Sequence, residues 1–450
     1  MSKGDSIGLQ KVNGNKGSNY SVEDGSPGPP YDPHAHRELA NPTTDRETLI
    51  HILKGSLGTG ILAMPNAFYN SGLIVGTIAT FVIGFICTYC LHVLVRSQYE
   101  LCKRKKVPIL SYPETMRVAL QQGPSCLKPF ANISVPIVDG FLIIYQLGIC
   151  VCYIMFVATS IKQVADIYAT PLDVRIHMLI ILVPLMLITY IRNLKLLAPF
   201  SQLANIITFI GIGITLYYIF DDLPAINSVP YVGVLRNFVL YMGTTLFALE
   251  AVGVILALEN NMKTPKSFGG YTGVLNQGMV VIVILYVLVG FFGYVKYGSD
   301  ALGSVTLNLP KTDILAQIVK LIFAVAIFVT YALQCYVPVD IVWNTYMKKH
   351  ITSKELFWEY FLRTTAVLIT FVLAVAVPRL ELFISLFGAF CLSALGIAFP
   401  AIIEICVMWP DNLGTCYYIL FRNFLLILFG IAGLLVGTYT SISDIITSFQ

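Results

Sequence analysis

Gly58-Thr59-Gly60 sits inside an apolar run, Leu49 to Tyr69, that is otherwise long enough to cross a bilayer as helix. A chain in lipid must satisfy its backbone internally, so a glycine-broken helix is tolerated there only where it is buried in protein or lines a cavity. At such a break, the N–H groups opening the second half-helix have no internal partner and carry partial positive charge, which favours a carboxylate. The carbonyls closing the first half favour an ammonium. A zwitterion needs both, and glycine lets it approach the backbone. Carboxylate binding is therefore expected at the backbone of Gly58, Thr59 and Gly60. A phosphate-cradling loop would need a preceding strand and another glycine order, and the sequence has neither.

A second segment echoes the first. Gly243-Thr244-Thr245-Leu-Phe-Ala248 aligns with Gly58-Thr59-Gly60-Ile-Leu-Ala63, and the pairing predicts a second break whose strip Gly243, Thr244 and Thr245 takes the ammonium. Each match opens one half of the chain, five helices from its end. The pattern predicts two repeats of opposite membrane orientation, with the site near the midplane.

Ionisable groups at membrane depth are functional candidates. His51 lies seven residues before Gly58, about 10 Å along a helix. It is either a proton carrier, since histidine titrates near neutrality, or an interfacial polar residue. Glu250 either couples protons or pins its helix by hydrogen bonds. Asp139, Asp340, Glu381 and Glu404 fall near predicted helix ends, where interfacial water is expected to solvate them. Tyr145 and Gln146 face either the cavity or a neighbouring helix.

The elements that must position these residues are legible in composition. Of 450 residues 56% are hydrophobic and 12% charged, with a mean hydropathy of +0.75, far from the soluble average of roughly 25% charged. An all-α polytopic membrane protein is expected, with eleven transmembrane helices. They run from Leu49 to Tyr69, Leu73 to Val95, Val135 to Ala158, Met178 to Ile191, Phe200 to Phe220, Val232 to Leu258, Thr272 to Val295, Ile314 to Val342, Phe361 to Val377, Leu380 to Met408 and Cys416 to Tyr439. Helices one to five and six to ten form the inverted repeats, and the last is appended.

Residues 1–48 read as a disordered cytoplasmic tail, 49–442 as the transmembrane domain and 443–450 as a short C-terminal tail. No signal peptide is expected. Basic residues such as Lys103-Arg-Lys-Lys106, Lys263, Lys266, Lys348 and Lys349 gather on one side, which places the N-terminus in the cytoplasm and the C-terminus outside or in a lumen. On that topology no cysteine lies in an outer loop, Cys87 and Cys90 are packing residues rather than a metal pair, and the Asn132-Ile-Ser134 sequon is unused. The charge pattern carries no nucleic-acid footprint. No metal cluster, cofactor motif or nucleophile–base pair marks an enzyme, and no filter or charged ring marks a channel.

Several motifs occur in register between about Leu49 and Met408. They are His51-Ile-Leu-Lys-Gly-Ser-Leu-Gly-Thr-Gly-Ile-Leu-Ala-Met-Pro65, Tyr145-Gln-Leu-Gly148, Ile191-Arg-Asn-Leu194, Phe247-Ala-Leu-Glu-Ala-Val-Gly253, Leu258-Glu-Asn-Asn-Met-Lys263, Gly303-Ser-Val-Thr-Leu-Asn-Leu-Pro310 and Thr330-Tyr-Ala-Leu-Gln334. Together they resemble the proton-coupled amino acid transporters of the amino acid/auxin permease group.

The resemblance implies a LeuT-like, amino acid permease fold that carries small neutral amino acids with protons toward the cytosol. It implies a proton-coupling role for His51, matched to the His-x-x-Lys-Gly opening of the family's first helix, and substrate binding at Gly58 to Gly60. Phe247 and Tyr145 are placed with the substrate-binding residues, and Glu250 with proton coupling. The only cosubstrate expected is the proton. Relatives divide between plasma and lysosomal membranes, and some carry an outer-loop disulfide whose cysteines this chain lacks. A sensor that signals amino acid occupancy to cytoplasmic partners, through the tail or the Arg96 to Lys128 loop, would use the same site; a sensor binds without accumulating substrate.

Overall fold

The computed structural model describes residues 31–39, 42–192, 194–249, 252–351 and 353–449. Most of the N-terminal tail and Glu250 lie outside them. Among the described residues the regular structure is helical, apart from one isolated bridge between Thr43 and Met262.

Helix α1, Asp45–Ser56, starts where Thr44 and Glu47 form a capping box, each side chain bonding the other's backbone. It stops at Leu57 and Gly58, whose backbones leave the helical region, and α2 resumes at Thr59–Ser71. The expected first break is therefore present. Gly72 then turns the chain with φ +82°, where a Cβ would lie 2.5 Å from the Gly233 backbone nitrogen. Only glycine fits that corner.

The long α3, Leu73–Lys105, and α5, Ala131–Tyr168, outrun their apolar cores, and α3 ends on Lys103, Arg104 and Lys105, which complement the helix dipole. Between them lies α4, Tyr112–Gln122. Next come the short α6, Val174–Thr189, then α7, Leu194–Phe220, α8, Leu235–Leu249, and α9, Val252–Asn260. Helices α10, Val274–Tyr297, α11, Ile314–Asp340, and α12, Glu355–Ala376, follow. Helix α13, Leu380–Phe387, passes through a wide π-helical stretch, Gly388–Ala398, into α14, Phe399–Met408, and α15, Tyr418–Thr447, closes the chain. Among the described residues eight continuous helices are long and apolar enough to cross a membrane. The first apolar run is not among them because it is broken, and α6 is only 16 residues.

One expectation fails. Gly243, Thr244 and Thr245 lie within continuous α8, with no break at that strip. Gly243 serves close packing instead: a Cβ on it would lie 2.4 Å from the Ser385 carbonyl oxygen, and one on Gly388 would lie 1.9 Å from the Gly243 carbonyl oxygen. The two glycines let α8 and the π-helical stretch touch backbone to backbone.

Three of the four acidic residues near helix ends, Asp139, Asp340 and Glu404, are held by protein donors. Glu404, 3% exposed, accepts from Arg422 at 2.6 Å and Asn423 at 2.7 Å. Asp139, 5% exposed, accepts from the Tyr346 hydroxyl at 2.8 Å, and Asp340 accepts from Asn344 at 2.7 Å. Burial is possible because each carboxylate has a donor in hand.

The described part of the tail packs onto the end of α9. Arg37 grips Glu259 through both carboxylate oxygens at 3.1 and 3.0 Å and also donates to the Glu259 and Pro108 carbonyls. Thr43 and Lys263 extend the attachment by backbone bonds of 2.8 and 2.9 Å. Asp32 sits beside Lys266 and Tyr99. Burial pushes its pKa up, but the His34 amide and the charge of Lys266 together outweigh that and hold this carboxyl below its ordinary value.

Candidate functional site

The break between α1 and α2 opens onto a cavity of about 80 Å³. Gly55, Ser56, Gly58, Thr59 and Gly60 form one wall, and Phe247 and Ala248 of α8 with Gly253 of α9 form the facing wall. Helix α5 contributes Tyr145, Gln146, Ile149 and Tyr153, and α11 contributes Gln334. Tyr145, Ile149 and Tyr153 recur every four residues and so share one helix face. That spacing is the signal that would have found Ile149 and Tyr153 beside the expected Tyr145.

The α2 N-terminus faces this cavity without a side-chain cap, so its first N–H groups keep the partial positive charge expected of them. The Tyr145 and Phe247 rings meet edge to face, centroids 6.2 Å apart, across the apolar side. Two buried polar atoms on the lining, Ser56 Oγ and Gln146 Oε1, have no hydrogen-bond partner within the protein. Such atoms are costly unless something pairs with them. Among the described residues no charged side chain lines the cavity.

The expected substrate residues Gly58, Thr59, Gly60, Phe247 and Tyr145 are thus brought together. Gly243, Thr244 and Thr245 are buried in α8 but do not line the cavity. His51 lies on the exposed side of α1 and is not on the lining either, while Glu250 falls outside the described residues. Ser56, Tyr153 and Gln334 were missed, although Gln334 ends one of the quoted motifs.

Gln146 gives a direct test of the lining. Gln146→Leu removes an unpaired acceptor from the empty protein, so its thermal stability should not fall. If Gln146 pairs with substrate, KM should rise about tenfold, equivalent to ~1.4 kcal/mol of lost binding. An unchanged KM in proteoliposome uptake would remove Gln146 from the site.

These features define a class of protein before they define a member: a polytopic, all-helical membrane transporter with a site at a helix break. Two solved structures of Mhp1 share the fold. The inward-facing form aligns with a TM-score of 0.57 at 12% identity, covering 93% of both chains. A closed form, described as a nucleobase-cation-symport-1 family transporter with bromovinylhydantoin bound, aligns at 0.52 and 13% identity, covering 93% of this chain and 96% of that one. At such low identity they bear on the fold alone.

Residues 41–443 match the family model for transmembrane amino acid transporter proteins, and the chain belongs to that family. It is a transporter and not an enzyme. The Drosophila melanogaster proton-coupled amino acid transporter-like protein pathetic is 42% identical over 422 residues, 93% of this chain and 89% of that protein. The Caenorhabditis elegans probable amino acid transporter skat-1 is 23% identical over 438 residues, 90% and 91% of the two chains.

Proposed function

We propose that this protein is a symporter that carries small neutral amino acids with protons toward the cytosol. The observation that carries the reading is the cavity: about 80 Å³, free of charged side chains among the described residues, with an uncapped helix N-terminus on its wall. A zwitterion brings its own compensating charges to such a site. A cationic or anionic side chain would be buried there without a partner, which is costly.

Proton coupling draws support from the 42% identical relative, whose name includes it. His51 would take the proton from its place on α1, outside the cavity, and act through the α1–α2 break rather than by touching substrate. Glu250 is the second candidate for this role. In the proposed architecture eleven helices form two inverted five-helix repeats and one appended helix, with the N-terminus in the cytoplasm and the C-terminus outside or lumenal, in a plasma or lysosomal membrane.

Competition against labelled alanine uptake in liposomes tests substrate class. Glycine, alanine and other small zwitterions should compete, and lysine and glutamate should not. In the same vesicles His51→Ala should still bind amino acid yet lose its response to an imposed pH gradient. Full proton dependence in that variant would remove His51 from the coupling path.

A further inference from the structure

Tyr286 of α10 is fully buried, and no part of the proposed transport mechanism uses it. Its hydroxyl meets two backbone carbonyls from different helices: that of Ser56, the last residue of α1, and that of Ala248 in α8, at 2.6 Å. A hydroxyl has one proton, so it can fully satisfy only one of these oxygens at a time. The Ser56 carbonyl also accepts the Gly58 N–H, at 2.9 Å, across the break.

Two converging carbonyls are a different kind of environment from a tyrosine's usual single acceptor. The Ser56 carbonyl stands at the negative end of α1. The Ser56 Oγ, buried and unpartnered, adds a third oxygen on the same residue. Carbonyls at the ends of interrupted helices coordinate coupling cations in transporters of this general architecture. Ser56 and Ala248 also line the cavity, so a cation here would border a bound carboxylate.

We propose that the Tyr286 hydroxyl occupies the position an alkali cation would take between the end of α1 and α8, making Tyr286 the residue that bars sodium from this transporter. The hydroxyl supplies an oxygen and one proton where a cation would supply a full charge, and the ring is fully buried. This rests on the reading of the cavity as the substrate site, and it names the residue that sets the coupling ion.

Tyr286→Phe tests it most cleanly, because the ring stays and only the oxygen leaves. The Ala248 carbonyl then loses this donor and the Ser56 carbonyl keeps only the Gly58 N–H, at 2.9 Å, so both border an oxygen-sized vacancy. Tyr286→Ser is the second variant, with more room and its own hydroxyl. The full-length protein, purified, is heated in matched sodium, potassium or choline chloride, and is also assayed in liposomes for alanine uptake with a sodium gradient at equal pH.

The wild type should melt at the same temperature in all three salts and ignore the sodium gradient. Tyr286→Phe or Tyr286→Ser should melt higher in sodium, and a sodium gradient should raise uptake at least ~5-fold, the low end of coupling between two ligands. Sodium stabilisation or sodium-driven uptake in the wild type would overturn the proposal. So would a folded Tyr286→Phe that is as indifferent to sodium as the wild type. Failure of the wild type to bind any amino acid would count against the site reading instead, and the sodium shift in melting temperature reads the cation position without substrate.

Discussion

Gly60→Ala should abolish amino acid uptake and lower the melting temperature, whereas Gly58→Ala, two residues away in the same break, should leave the melting temperature nearly unchanged. A Cβ on Gly60 would lie 2.6 Å from the Ala248 Cα and 3.0 Å from its Cβ. The obstacle is backbone, so no side chain can swing aside, and α2 must move off α8. Overpacking of this kind costs about 1–3 kcal/mol, occasionally more. Here the displaced pair forms two facing walls of the cavity, so function suffers beyond the loss of stability. At Gly58 the nearest atom to a Cβ is the Tyr153 hydroxyl oxygen at 3.7 Å, an ordinary contact, and its φ of −109° suits alanine. The change there should stay within ~0.5 kcal/mol. Uptake by Gly60→Ala and the melting temperatures of both variants check this; wild-type uptake in Gly60→Ala would mean that the α2–α8 contact does not shape the site.

The largest loss of stability should come from Arg37→Ala. The Arg37 and Glu259 side chains are 2% and 3% exposed, and the arginine also satisfies the Glu259 and Pro108 carbonyls. Removing one partner of a buried pair costs about 3–5 kcal/mol because the other charge is left uncompensated. Replacing both, as Arg37→Met with Glu259→Leu, should recover most of that loss for the same reason. Thermal melts of the single and double variants separate the cases: a double variant as unstable as Arg37→Ala would show that the carbonyl contacts, rather than the stranded charge, dominate.

The first break was legible in the sequence because Gly58 and Gly60 interrupt a run otherwise long enough to span lipid. The second was not, and the reason is chemical. A glycine in an apolar helix serves either an unusual backbone or a close approach, and sequence spacing does not separate the two. Gly58 stands at the helix break, with φ −109° and ψ −144° outside the helical region, whereas Gly243 takes the second role, pressed against Ser385 and Gly388. Tyr145 was legible and Tyr153 was not, though both lie on one face of α5, because two turns of helix separate them and no motif links them. Tyr286 and the Arg37–Glu259 pair depend on contacts across 38 or more residues, 230 for Tyr286 with Ser56 and 222 for Arg37 with Glu259. Only the folded chain brings such pairs together. The partners of the buried carboxylates Asp139 and Glu404 were hidden for the same reason, since the donors Tyr346 and Arg422 come from other helices.

The central claim is that a neutral cavity at the α1–α2 break moves zwitterionic amino acids with protons. Liposomes containing the purified protein and a trapped pH indicator, given an imposed pH gradient without sodium, test it in one recording. Alanine should accumulate only when the gradient is present, and the vesicle interior should acidify in step with uptake when alanine is added and stay constant when it is omitted. Accumulation that ignores the pH gradient, or uptake with no accompanying proton flux, would contradict the account.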